Sequence, residues 1–352
     1  MNAVVRLNLD IDAHDVSSSL RMKRAVESVK NLSPKFGRIV ILSHRGRPNG
    51  VDGSLSLKPI IKELSEKSRR RISFLEGSPE KHLERVLVKK GIFALENTRF
   101  FSGEMKNSSA LARTFASFGD VFINDDFATA HRTQASNVGI TEFLTSLEGP
   151  IMKTELVALK KIMAHPAHPF TLIVGGGKMK SKLPVIKNLL AKADYVLLGG
   201  GVGNTALKAA GYDVMNSLFE KSLIPEAKKL IKNPKVLYPF DFRTSKKNIL
   251  DIGPNTAKKF AEIVRSSKTV VWAGPLGMFE RKAFSHGTET VAEAIAKTDC
   301  FSVVGGGETT SAIISFGLER KFSFLSTGGG AMLEFLAGKK LPALEALGIK
   351  YR

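Results

Sequence analysis

Short apolar runs rich in β-branched residues recur along the chain with longer amphipathic stretches between them, and this alternation limits the fold more than any other feature. The runs are VVRLNL (4–9), RIVILS (38–43), RISFL (71–75), IFAL (92–95), DVFI (120–123), FTLIV (170–174), YVLL (195–198), TVVW (269–272), SVV (302–304) and SFLS (323–326). Stretches such as SLKPIIKELSEK (56–67) and PNTAKKFAEIVRSS (254–267) carry helical periodicity. A continuous apolar run is the mark of a strand buried on both faces, and strands alternating with helices make parallel sheets. A chain of 352 residues is long enough for two ordinary domains, and these runs are too many for one small sheet. The expected class is α/β, with two doubly wound, Rossmann-like parallel-sheet domains. The helical pattern MKTELVALKKIMAH (152–165) separates the halves. The expected division is residues 1–150, a joining helix over 151–166, and a second domain over 167–339, with the tail 340–352 packing near the first.

Composition narrows the classes. Hydrophobic residues make up 43 % and charged residues 24 %, the balance of a soluble globular chain. No stretch approaches the roughly 20 apolar residues of a membrane span. The start, MNAVVRLNLD, lacks a signal-peptide pattern, and the single cysteine, Cys300, excludes an intrachain disulfide. Both fit a reducing cytosol. The net charge of +20 is unusual. It admits nucleic-acid binding, but the densest run, KSRRR (67–71), is short. It also admits a solvated basic surface, or a field that steers anionic substrates.

In open parallel sheets ligands sit beyond the carboxyl ends of the strands. Residues that directly follow the apolar runs therefore carry the functional information. In the second half these are four GGG triplets, Gly175–Gly177, Gly199–Gly201, Gly305–Gly307 and Gly328–Gly330. Glycine allows close approach of backbone to ligand, and a helix N-terminus beyond it favours an anion. The set points to a phosphate or nucleotide. A Walker A loop is absent, and GGGVGNTALKAAG (199–211) is only a partial dinucleotide fingerprint without its acidic partner. After the first triplet come Lys178 and Lys182, four apart and expected on one helix face, where two ammonium groups would neutralise transferring phosphate oxygens. After the third comes Glu308, which reads either as a helix cap or as a Mg²⁺ ligand.

The first half has arginines and a histidine in the equivalent places: His44 and Arg47 in SHRGRP, Arg99 in ENTRF, Arg132 in NDDFATAHR, and Arg21 opening a helical pattern. Guanidinium forks suit carboxylate and phosphate, so the cluster implies a small, multiply anionic substrate. Phosphoryl transfer to a carboxylate needs no general base, because the acceptor is already ionised near neutral pH. Accordingly the chain offers Arg and Lys but no evident Ser/His/Asp set or zinc cluster.

The segments SHRGRP, ENTRF, GDVFINDDFATAHR, GGGKMKSK, GGGVGNT, LDIGP (250–254), WAGPLGMFE (272–280), GGGETT (305–310) and STGGGAMLEFLAGKKLP (326–342) resemble, in content and order, the phosphoglycerate kinase family. The resemblance covers almost the whole chain. It implies 3-phosphoglycerate or 1,3-bisphosphoglycerate on the N-terminal domain and ADP or ATP with Mg²⁺ on the C-terminal one, with hinge closure between them in a cytoplasmic monomer. It implies substrate binding by Asn8, Asp10, Arg21, His44, Arg47, Arg99 and Arg132. It implies nucleotide binding by Lys178, Lys182, Glu280, Gly306, Gly307, Glu308 and Thr309, with Glu308 the metal ligand and Arg21 and Lys182 stabilising the transferring phosphoryl group. The chain departs from the family pattern in several places. Asn8-Leu9-Asp10 exchanges amide and acid, Ala273 replaces an asparagine, Glu308 replaces an aspartate, Gln134 and Phe324 replace histidines, and the connection from PFDF (239–242) to LDIGP is short.

Overall fold

The computed structural model describes residues 1–12, 16 and 19–350. The chain divides into two compact units, Met1–Val157 with the segment from Lys340 onward, and Ala158–Lys339. Each is built on its own six-stranded parallel sheet.

In the first unit the strands are β1 (Asn2–Arg6), β2 (Arg38–Leu42), β3 (Ile72–Leu75), β4 (Gly91–Leu95), β5 (Val121–Asn124) and β6 (Thr145–Glu148), in the order β3-β4-β2-β1-β5-β6. The helices are α1 (Leu20–Leu32), α2 (Lys58–Ser68), α3 (Leu83–Leu87), α4 (Ser109–Ala116) and α5 (Pro150–Ala164), the last of which contains the boundary between the units. Side chains alternate across a strand, so each buried strand feeds two cores. Ala3, Val5, Ile39, Ile41, Ile92 and Ala94 pack with Met22 and Val29 of α1 and Ile60 and Leu64 of α2. Val4, Val40, Leu42, Phe93 and Phe122 point the other way, onto Leu111 and Phe115 of α4. Each such side chain contributes roughly 1.5–3 kcal/mol by leaving water.

In the second unit the strands are β7 (Phe170–Val174), β8 (Tyr195–Leu198), β9 (Val236–Leu237), β10 (Phe242–Ser245), β11 (Asn248–Ile252), β12 (Thr269–Ala273), β13 (Phe301–Gly305) and β14 (Phe324–Leu325). The parallel sheet runs β14-β13-β12-β7-β8-β9, the strand order of dinucleotide-binding folds, and β10 and β11 form a separate antiparallel ribbon. The ribbon turns at Lys246 and Lys247, both left-handed at φ 48° and 61°. The helices are α6 (Leu183–Leu189), α7 (Gly200–Ala209), α8 (Ile224–Leu230), α9 (Pro254–Ser266), α10 (His286–Ala296), α11 (Gly307–Ser315) and α12 (Gly329–Leu336). A last helix, α13 (Pro342–Ala346), belongs to the first unit, where the Ala343 amide donates to the Ala130 carbonyl at 3.1 Å.

Two local expectations are corrected. The run 4–9 is not one strand: β1 stops at Arg6, because Leu9 N turns away to donate to the Ser43 hydroxyl at 2.9 Å. Lys178 and Lys182 do not share a helix face, because residues 178–182 form turns and α6 begins only at Leu183.

Candidate active site

In the second unit the strand order reverses between the adjacent strands β7 and β12, which opens a crevice at their carboxyl ends. The two loops there touch backbone to backbone. Gly175 N donates to the Ala273 carbonyl at 3.0 Å and Gly176 N to the Pro275 carbonyl at 2.7 Å. A Cβ on Gly175 would stand 2.1 Å from the Pro275 carbonyl oxygen, so no other residue fits. Ala273, at the place of the family's asparagine, is buried and contributes through its carbonyl.

The crevice holds a cavity of about 520 Å³, lined among others by Gly176, Gly177, Gly200, Gly201, Glu280 and Glu308. Lys182 and Glu308 both approach Gly176. A Cβ there would lie 3.3 Å from Lys182 Nζ and 3.6 Å from Glu308 Oε2. Burial lowers the Lys182 pKa, opposed by the nearby Glu308 and Glu220 carboxylates and helped by Lys178. Lys178 itself is exposed. Glu308 stands in the first turn of α11, after Gly306 at φ 95°. The Thr309 hydroxyl accepts from Gly274 N at 2.7 Å and so ties α11 to the β12 loop. Gly307 has ordinary φ and open space where a Cβ would go, so the fold alone does not demand glycine there. The glycines of the third and fourth triplets do not line this cavity; from the third segment only Glu308 does. Asp251 does, and the sequence reading did not single it out. Its carboxylate accepts from Gly287 N at 2.8 Å and Ile252 N at 2.9 Å, and burial pushes its pKa up to about 7.

In the first unit the residues converge on the carboxyl ends of β1, β2 and β4. Asn8 Oδ1 accepts from Asp10 N at 3.3 Å, and Asp10 Oδ1 accepts from Gly46 N at 2.8 Å. His44 Nε2 faces Asp10 Oδ2 at 3.8 Å. Arg21, near the start of α1, donates to the Asp10 carbonyl, and Arg99, in a 3₁₀ turn after β4, donates to the Gly46 carbonyl. Arg99 Nε is buried with no hydrogen-bond partner. Its pKa is lowered by burial and by Arg6, with Asp10 and Glu104 opposing and Arg47 adding to the fall. Arg47 and Arg132 are exposed, Arg132 on the loop after β5. Burial, then Arg6, Arg99 and Arg21, hold the His44 pKa well below the ordinary imidazole value. Arg21, Arg99 and the His44 ring thus form a cradle around Asp10, with Arg47 close to Arg99.

Sequence reading missed Arg6, Glu104 and Asp126, all fully buried beneath this cradle. The one available signal was an arginine inside an apolar strand, since a buried arginine requires acidic partners.

The model of the family described as phosphoglycerate kinase matches residues 2–339. A phosphoglycerate kinase of Francisella tularensis subsp. novicida is 39 % identical over 374 aligned positions, covering 98 % of this chain and 94 % of that protein. Among solved structures, phosphoglycerate kinase from Coxiella burnetii superposes with a TM-score of 0.85 at 35 % identity, covering 99 % of this chain and 96 % of the other. That from Pyrococcus horikoshii OT3 gives 0.87 at 30 % identity with the same coverage of each chain. The fold, the order of its motifs and these likenesses agree: the chain belongs to the phosphoglycerate kinase family.

Proposed function

We propose that this chain transfers a phosphoryl group between ATP and the carboxylate of 3-phosphoglycerate, giving ADP and 1,3-bisphosphoglycerate, and the reverse. The observation that carries this reading is the approach of both Lys182 and Glu308 to Gly176 at a glycine-walled crevice, with a cationic cradle in the other unit. The nucleotide occupies the crevice, with its phosphates against Gly176, Gly177 and the first amides of α11 and its ribose near Glu280. Gly306 and Gly307 leave that helix end open to a phosphate. The phosphoglycerate occupies the cradle of Arg21, Arg47, Arg99 and Arg132, with Asn8, Asp10 and His44 available to its hydroxyl and oxyanions.

In the forward step a carboxylate oxygen of 3-phosphoglycerate attacks the γ-phosphorus of ATP. The bond to the β-phosphate oxygen breaks and ADP leaves as an anion. No proton moves, so no base is required. Lys182 and Arg21 supply positive charge to the equatorial oxygens as the group passes, and the ligands must be brought together with water excluded. Among the described residues no group of three acidic, histidine or cysteine side chains forms a metal cage. One carboxylate, Glu308, beside bound phosphates is the arrangement that suits Mg²⁺, which takes its other ligands from phosphate and water. When bound, Mg²⁺ would neutralise phosphate charge. The same reading makes the chain a cytoplasmic monomer. No helix among the described residues is long and apolar enough to cross a membrane.

The test is a coupled assay of ATP consumption with Mg²⁺, with and without 3-phosphoglycerate. Turnover that depends on 3-phosphoglycerate is expected. A folded protein with none would overturn the proposal.

A further inference from the structure

We propose that Arg6 is a positioning residue that fixes His44 as the neutral Nε2–H tautomer, so that the ring offers the anion cradle a hydrogen-bond donor without a charge. Arg6 is the last residue of β1 and has no solvent exposure. Its guanidinium is held from several sides. Nε lies 3.4 Å from Asp126 Oδ2 and NH1 lies 3.8 Å from Glu104 Oε1, with all these side chains fully buried. NH1 also donates to the Ser136 hydroxyl, which in turn donates to Glu104 Oε1 at 2.6 Å. The Thr129 hydroxyl donates to Asp126 Oδ2 at 2.7 Å. Nε itself makes no hydrogen bond; the guanidinium is oriented by NH1 on Ser136, by NH2 at 3.5 Å from the Thr129 hydroxyl and by the two buried carboxylates.

The remaining amino group, NH2, lies 3.2 Å from His44 Nδ1. A guanidinium has only donors and keeps its charge in proteins. Nδ1 must therefore present its lone pair, and the ring proton is left on Nε2. That nitrogen faces Asp10 Oδ2, a partly exposed carboxylate, at 3.8 Å. The groups facing the ring agree with this. Arg6 on β1, Arg21 on α1 and Arg99 after β4 all disfavour a second ring proton, as does burial. Asp10 is the acid on the open side, while Glu104 and Asp126 lie at Arg6. The ring is thus barred from acting as a base through Nδ1, and its donor direction is set before any ligand arrives.

The proposal rests on the proposed function only for the identity of the anion. The ring can be read without substrate or turnover, so its failure would leave that function standing. The chain has seven histidines. Nitrogen NMR of the labelled wild type, with His44 identified by the signal lost in His44→Gln, should show a protonated Nε2 and a bare Nδ1 from about pH 5.5 to about pH 8. A protonated Nδ1, or a ring that becomes cationic within that range, would overturn the proposal. In Arg6→Met the ring, still buried beside Arg21 and Arg99, should lose its single tautomer and show a protonated Nδ1 as well as a protonated Nε2. KM for 3-phosphoglycerate should rise roughly tenfold while KM for ATP stays unchanged. If Arg6→Met does not fold, Arg6→Lys is read in its place, because it keeps a charge opposite Glu104 and Asp126 but lacks the fork. A ring with unaltered tautomer in the folded variant would show that Arg6 does not fix it.

Discussion

Gly274 stands at φ 96°, and a Cβ there would lie 2.2 Å from the Gly175 carbonyl oxygen. Both the left-handed backbone and the close approach demand glycine, so Gly274→Ala should destabilise the second unit by about 2–5 kcal/mol in denaturant unfolding. An unchanged midpoint would mean that the two loops are not packed as described. The glycines of the triplets therefore do not all share one ground. Gly175 and Gly200 are dictated by backbone packing, Gly200 because a Cβ would stand 2.8 Å from Gly176 N. Gly307 has free space around it and no such packing ground. Sequence alone cannot separate these cases, because a glycine required by a neighbouring loop and one that is not are written identically. His44, Arg47 and Arg99 could be singled out because they follow β2 and β4 closely, whereas Arg21 stands at the start of α1. Arg6 could not, because its partners Glu104, Asp126 and Ser136 lie far along the chain and only the fold brings them together.

At the level of elements, two buried carboxylates hold helix starts near the sites. Asp125, directly after β5, accepts from Ile151 N at 2.7 Å and Met152 N at 2.9 Å and so caps α5. Asp125→Ala should cost the first unit about 1–2 kcal/mol, read from its denaturation midpoint. Asp251 joins the end of β11 to the start of α10. Its pKa is about 7 in the folded chain against an ordinary 3.8, so the folded state keeps a proton that the unfolded state gives up. As pH rises from about 4 to about 7 the unfolded state binds fewer protons, and this contribution to stability is lost. Asp251→Asn does not titrate. The melting temperature of the variant relative to wild type should therefore climb between pH 4 and pH 7, and a constant difference would contradict the assignment. The buried strands were legible as apolar runs. The edge strand β6, TSLE, was not, since it is half exposed and polar, and neither was β9, which has two residues. The β10–β11 ribbon was also missed. Its turn is Lys246–Lys247 without glycine, so it lacks the usual hairpin signal.

Over the whole molecule, each unit places its cationic or glycine-walled site at the carboxyl ends of its own parallel sheet, and none of the assigned residues is asked to move a proton. The net charge of +20 suits an enzyme whose ligands are all anions, since a positive field raises the rate of their encounter. Strand–helix alternation was enough to read the architecture, because both sheets are buried and their strands are nearly all apolar. The central claim is that charge placement performs the transfer, and Lys182 tests it most directly. Turnover of 3-phosphoglycerate with Mg²⁺ and ATP should be compared between wild type and Lys182→Ala, with 3-phosphoglycerate binding measured separately. A fall in kcat of roughly 10²–10³, with that binding intact, is predicted. A kcat within a few-fold of wild type would contradict the account.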